Sequence, residues 1–297
     1  MKKKILVVGG SGFLGLNLIK RLSKLNEFDV YSLIRNKKKI NRTIKKIRYI
    51  YSDISQLNNL KKKIKEKKFH YVINLSGNIN HQKNSETLKV HFVGLKNLLK
   101  TISKKNLRLF IQIGSSLEYG KKSSPQKESF FCKPISYYGK AKYKASSFLS
   151  KKLDNYLILR PYQIYGPYQK DDRLIPMVIK SCLKNRKFPC SLGKQERDFL
   201  YVDDFTNLII KILKKNKVRK KIYNVGSGNA TKVKKIIDLI LKFTQKGKPL
   251  FGNIKMRKDE LKQLYPNISS ITKEFNWKPK IKLELGLKKT ISFYEKK

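Results

Sequence analysis

Cysteine is scarce in this chain. Cys132, Cys182 and Cys190 are its only thiols among 297 residues. Three unevenly spaced cysteines give neither a disulfide framework nor a zinc site, so the expectation is a reducing compartment and no bound metal. Long apolar runs are also missing. Lys2–Lys4 followed by Ile5–Val8 imitates the start of a secretory signal, but the run stops at Gly9-Gly10. No stretch approaches the roughly 20 apolar residues that span a bilayer. The expectation is a cytoplasmic protein with no membrane partner.

Acidic residues are the third shortage. Twenty Asp and Glu stand against 70 Lys and Arg, a formal net charge of +50. Neutralising phosphates with Lys and Arg drives non-specific nucleic-acid binding, so that partner has to be weighed. The lysines, however, run from Lys2 to Lys297 with no confined tail or stripe, and they fall where solvent-facing helix positions belong, as in Lys61–Lys63. The excess reads as compositional drift toward Lys, Asn and Ile, and no specific nucleic acid is expected. The same field would attract any small anionic substrate.

What is present points to a globular α/β chain. A hydrophobic content of 40% is sufficient for a packed core. Ile5–Val8 is a short, wholly apolar run suited to a central parallel strand. Gly9, Gly12 and Gly15 come next at G-x-x-G-x-x-G spacing and open an amphipathic helix at Phe13-Leu14. Without side chains they allow a tight turn, close approach of a pyrophosphate, and close packing of helix on strand. The helix N-terminus then presents free N–H groups to the phosphates. This strand–turn–helix context implies dinucleotide binding.

Asp29–Ile34 is the second strand, and it closes on Arg35 where an NAD-binding fold usually carries an acid. Arginine suits a 2′-phosphate, so NADP is favoured over NAD. Arg48–Tyr51 is a third strand running into Asp53-Ile54, a natural place to meet the adenine. A helix over Lys61–Lys68 leads to strand His70–Leu75, whose end at Ser76-Gly77 is small enough to let a cofactor pass. One long helix is expected from Ser85 to Ser103, then strand Leu107–Ile113. This alternation predicts a Rossmann-type doubly wound parallel sheet with ligands at the strands' carboxyl ends. The expected domains are residues 1–166 plus about 199–226 for the cofactor, and 167–198 with 227–297 as a smaller substrate-binding subdomain.

Tyr138 and Lys142 stand four residues apart at the start of a helix, and so on one face. An ammonium beside a phenol favours the phenolate and brings its proton into a useful range. Ser115 and Ser116 sit at the end of the preceding strand, where a hydroxyl could bind a substrate oxygen and share its proton with Tyr138.

These residues resemble the extended short-chain dehydrogenases/reductases, in particular the nucleotide-sugar epimerase/dehydratase group. The resemblance spans nearly the whole chain. It rests on the glycine turn, Ser115-Ser116-x-x-Tyr119-Gly120 and Tyr138-x-x-x-Lys142, then on Leu159–Pro167, Arg197–Asp204 and Tyr223–Gly228. It implies Tyr138 as acid/base, Lys142 as its pKa-lowering partner and ribose ligand, and Ser115 as the group polarising the same oxygen. Pro161 and Ile164 would border the nicotinamide. Ser116, Gln163 and Arg173 would meet the sugar nucleotide, and Arg197 and Arg257 would clamp its pyrophosphate bidentately. A homodimer through a helix pair that includes the Tyr138 helix is implied too.

Departures from the family pattern narrow the reaction. Dehydratases of the family carry an Asp-Glu pair where this chain has Ser116-Leu117, which disfavours dehydration. The only histidines are His70, His81 and His91, all upstream of the sugar site, which disfavours 3,5-epimerisation. His91 replaces an Asn expected to hold the cofactor-side backbone, and Gln163 replaces another. Reduction of a nucleotide-linked 4-keto-6-deoxy sugar is the leading expectation, and NAD-dependent 4-epimerisation is the alternative. A non-catalytic nucleotide- or nucleic-acid-binding Rossmann protein is a distant third.

Overall fold

The computed structural model describes residues 2–36, 43–77, 84–215, 218–256 and 260–296. The chain divides into two compact units. The first comprises Met1–Lys121, Glu128–Pro161 and Ile209–Tyr223; the second comprises Lys122–Lys127, Tyr162–Leu208 and Asn224–Lys297.

The first unit is built on strands β1 (Lys3–Val8), β2 (Phe28–Ile34), β3 (Ile47–Tyr51), β4 (Tyr71–Asn74), β5 (Leu109–Ile113) and β6 (Tyr156–Pro161). They pair in parallel, in the order β6-β5-β4-β1-β2-β3, and a further strand, Ile222–Val225, extends the sheet to seven beyond β6. Chain order reverses between β1 and β4, the switch point where doubly wound sheets bind their ligands. The expected parallel Rossmann sheet is therefore present.

Helices clothe the sheet because each presents one apolar stripe to it. Helix α1 (Phe13–Leu22) buries Leu18, Ile19 and Leu22. Helix α2 (Leu57–Ile64) begins and ends about four residues before the sequence expectation and buries Leu60 and Ile64. Its lysine-rich continuation has no apolar residue to hold against the sheet, so the helix stops. Leu6, Val8, Leu33, Leu60, Val72, Leu98 and Leu149 belong to one buried cluster. The single helix expected over Ser85–Ser103 is instead α3 (Asn84–Leu88), a π turn (Lys89–Val93) and α4 (Gly94–Thr101). A π turn inserts a residue and rotates the helix beyond it, and His91 within this one is buried.

In the second unit, a short strand pair joins β7 (Gln163–Tyr165) to residues Phe199–Tyr201. Trp277 is buried, as expected of a core residue, and its indole N–H donates to the Asp204 carbonyl at 3.2 Å. The helix before it ends at Phe275 on Asn276 in the left-handed region, φ 43°.

Candidate active site

Ser115 leaves β5 in extended conformation and caps a 3-10 turn over Ser116–Glu118. Its Oγ accepts from the Leu117 amide at 3.2 Å, and Glu118 Oε1 accepts from the Ser115 amide at 2.9 Å. This reciprocal capping box locks Ser115, while its own hydroxyl proton is left to donate.

Helix α5 (Tyr137–Lys152) begins where Ser136 Oγ accepts from the Gly139 amide at 3.1 Å, an N-cap that fixes the register of Tyr138. A Cβ on Gly139 would lie 2.5 Å from the Leu117 carbonyl oxygen, so α5 sits directly on the turn that Ser115 caps. Lys142 lies one helical turn beyond Tyr138. Its Nζ donates to the Ile113 carbonyl at 2.7 Å and lies 5.8 Å from the centre of the Tyr138 ring. Burial lowers the Lys142 pKa from the usual 10.5 to about 8, and the Glu118 charge opposes that fall. Tyr137, one position away, is 54% exposed. The structure thus brings Tyr138 and Lys142 together against the segment that carries Ser115.

Three neighbours of this group were not assigned to it from sequence. His91 packs edge-on against Tyr138, ring centres 5.2 Å apart. Its replacement of Asn marked it as unusual, but only folding puts it on the tyrosine. Glu118 is fully buried and accepts from Arg160 Nε at 3.1 Å and from Arg160 Nη2 at 3.0 Å, both at Oε2. Arg160 also lies over the Tyr119 ring at 4.6 Å, and burial pushes the Tyr119 pKa up to about 12. An arginine closing the apolar run Leu157–Leu159 was the available signal.

The glycine turn fits a dinucleotide. Gly9 has φ 83°, and a Cβ on Gly15 would collide with the Gly9 carbonyl oxygen. Helix α1 has no side-chain cap at Gly12 and no acid in its first turn, so an anion can take its N–H groups. Phe13 and Leu14 lie in that first turn, both half-buried. Arg35 is exposed directly beyond β2. Asp53 Oδ1 already accepts from the Ser55 amide at 2.8 Å. Ile54 belongs to the apolar core, and its carbonyl accepts from Asn97 at 3.0 Å. Ser76 turns back on Asn74 Oδ1, with its hydroxyl at 2.6 Å. Pro161 ends β6, half-buried.

The second unit carries Gln163, Arg173 and Arg197 from the expected substrate set. Gln163 is exposed and Ile164 buried on β7. Arg173 stands at the cap of the helix Leu174–Leu183 with Asp172 at 3.5 Å. Arg197 is buried, donates to the Glu196 carbonyl at 2.7 Å, and forms an ion pair with Glu260. Ser116, in the first unit, is buried within the 3-10 turn. Arg257 lies outside the described residues. Among the described residues there is no cluster of His, Cys, Asp and Glu able to hold a metal, and no helix long and apolar enough to cross a membrane.

A parallel sheet reversing at β1 and β4, with a bare glycine turn feeding an uncapped helix, defines a Rossmann-type dinucleotide-binding fold. Residues 5–226 match the profile of the NAD dependent epimerase/dehydratase family, and the chain belongs to that family. Several of the proteins it is similar to carry the names of nucleotide-sugar enzymes. A CDP-abequose synthase of Salmonella muenchen is 26% identical over 311 residues, covering 99% of each chain. A putative UDP-glucose 4-epimerase of Methanocaldococcus jannaschii is 29% identical over 312 residues, covering 97% of each. The structure of a Bacillus cereus UDP-glucuronic acid 4-epimerase, in complex with UDP-glucuronic acid and NAD, superposes with a TM-score of 0.88. That structure is 25% identical and covers 99% of each chain.

Proposed function

We propose that this enzyme reduces the C4 keto group of a nucleotide-linked 4-keto-6-deoxy sugar. The observation that carries the reading is the buried Lys142 ammonium, fixed to the Ile113 carbonyl one helical turn from Tyr138. When bound, the reduced nicotinamide supplies the hydride. Tyr138 donates its phenolic proton to the C4 oxygen as charge builds there, and Lys142 stabilises the phenolate left behind. Ser115, locked by its capping box, holds the same oxygen with a hydrogen bond from its hydroxyl and keeps its own proton. Leucine at 117 offers no acid or base for removing water. The likeness to a CDP-abequose synthase supports a sugar-nucleotide substrate.

Arg35, exposed past β2 with no acid beside it, supports NADPH as reductant. Phe13, Leu14, Asp53, Ile54, Ser76, Pro161 and Ile164 complete the proposed cofactor set. In the substrate set, Ser116, Gln163 and Arg173 meet the sugar nucleotide, and Arg197 and Arg257 take its pyrophosphate. Diphosphate binding at Arg197 would require Glu260 to give way. A homodimer through α5 belongs to the same reading.

The 4-epimerase reading is the alternative, favoured by the 29% relative and by the NAD bound in the Bacillus cereus enzyme. One experiment separates the two. Purified protein is given a 4-keto-6-deoxy sugar nucleotide with NADPH or NADH, and in parallel a plain UDP-hexose. Stoichiometric loss of NADPH absorbance supports the reductase. Conversion of the UDP-hexose with no net cofactor consumption would sink it in favour of the epimerase.

A further inference from the structure

Glu118 is one of only 20 acidic residues in a chain of net charge +50, and it is fully buried. Charged side chains are almost never enclosed unless paired, because removing a carboxylate from water is costly. Here all its hydrogen bonds are spent on the surroundings of one site. Oε2 takes the Arg160 guanidinium from β6 at 3.0 and 3.1 Å. Oε1 takes the Ser115 amide at 2.9 Å and the Ser146 hydroxyl at 3.2 Å. Ser146 lies on α5 one turn beyond Lys142, as Lys142 lies one turn beyond Tyr138. One carboxylate therefore ties together the turn that presents Ser115, the helix that presents Tyr138 and Lys142, and the next strand. Gly114 makes the room, since a Cβ there would collide with Glu118 Oε1.

The charge acts as well as the hydrogen bonds. Two titratable groups face the Lys142 ammonium, Tyr138 and Glu118, and each has a neighbour of its own. Tyr138 is on its own helix and Glu118 on the 3-10 turn. Arg160 pairs with Glu118, and His91, in the π turn, packs edge-on against Tyr138. Glu118 is the only anion in this set. Burial works to discharge Lys142, and Glu118 works to keep it charged.

We propose that Glu118 is a positioning residue that sets the Ser115 backbone and the α5 register and supplies the counter-charge that keeps Lys142 an ammonium. The inference rests on the reading that Ser115, Tyr138 and Lys142 carry the proton transfer. Arg160 acts through it, holding the carboxylate in place from β6.

The test uses Glu118→Gln, which keeps an acceptor oxygen and the side-chain shape but removes the charge. Because Glu118→Gln strands the Arg160 guanidinium, a double variant Glu118→Gln/Arg160→Met accompanies it. Tyr138→Phe is the control for the proton-transfer reading. Two readouts are taken. One is the pH profile of kcat. The other is the titration of the Lys142 15Nζ resonance in cofactor-free protein, assigned by its loss in Lys142→Arg. The proposal expects the double variant to fold and to retain KM within about threefold. Both the alkaline limb of kcat and the Lys142 titration should move down by about one pH unit or more. An unmoved Lys142 titration in the folded double variant would overturn it, whatever the activity. If Tyr138→Phe kept full turnover while the Lys142 titration moved, the counter-charge would stand and the proton-transfer reading would fall.

Discussion

Lys142 donates from Nζ to the carbonyl oxygen of Ile113 at 2.7 Å. That bond fastens α5 to the last residue of β5, two positions before Ser115. It gives the ammonium one fixed position, which a phenolate needs in a partner, because an orientation set in advance costs no reorganisation during proton transfer.

Tyr138→Phe removes the exchangeable proton and keeps the ring that packs edge-on against His91. We expect kcat to fall by about 10²- to 10⁴-fold, with circular dichroism and the unfolding midpoint nearly unchanged. Lys142→Met should lose at least as much turnover and yet be no less stable at pH 7. A buried ammonium is costly to hold, and an apolar chain of similar length is not. Thermal unfolding beside steady-state kinetics checks the opposite signs.

The pH responses of activity and stability should diverge. Lys142 titrates near 8 in the folded chain, against 10.5 when unfolded. Between those values the unfolded state binds more protons, so stability rises with pH there. At about 1.4 kcal/mol per unit, this group alone adds about 3 kcal/mol across that window. Turnover should instead decline as pH passes about 8, because the ammonium is lost. Above pH 10 the trend in stability reverses. Tyr119 is pushed up to about 12 by burial, so the unfolded chain sheds that phenolic proton first. Urea unfolding from pH 7 to 11, with kcat on the same samples, reads both curves. A stability curve without the rise above pH 8 would remove the buried-ammonium account.

Asp198 is fully buried and accepts four hydrogen bonds. They come from the Ser227 amide at 2.7 Å, the Ser227 hydroxyl at 2.9 Å, the Gly228 amide at 2.6 Å and the Asn229 amide at 3.2 Å. Asp198→Asn keeps the shape but turns an NH₂ toward at least one N–H in either flip. We expect a loss of about 2–4 kcal/mol in urea unfolding. Ser227→Ala, which removes one donor, should cost less than half of that.

Local signals found the frame. Ile5–Val8 is apolar throughout because β1 is covered on both faces, and the glycine spacing is visible because close approach forbids side chains at Gly15. Ser136 announces its helix by offering an oxygen to a free amide. Signals that depend on a partner were not legible. Arg197 and Glu260 are far apart in sequence, so the arginine reads as a free anion clamp until folding shows it engaged. The π turn at Lys89–Val93 leaves hydrophobic periodicity nearly intact, so Ser85–Ser103 reads as one helix.

The sequence alone determined the parallel sheet, the dinucleotide turn, and the spacing that sets Tyr138 and Lys142 on one helical face. Each of these comes from short-range geometry: alternation of elements, absence of Cβ atoms, 3.6 residues per turn. Only the tertiary structure decided what surrounds that pair. Glu118 and Arg160 are 42 residues apart, and His91 and Tyr138 meet from different elements. No local rule brings them together, because burial creates their energetics: a charge enclosed with its partner behaves unlike the same charge in water.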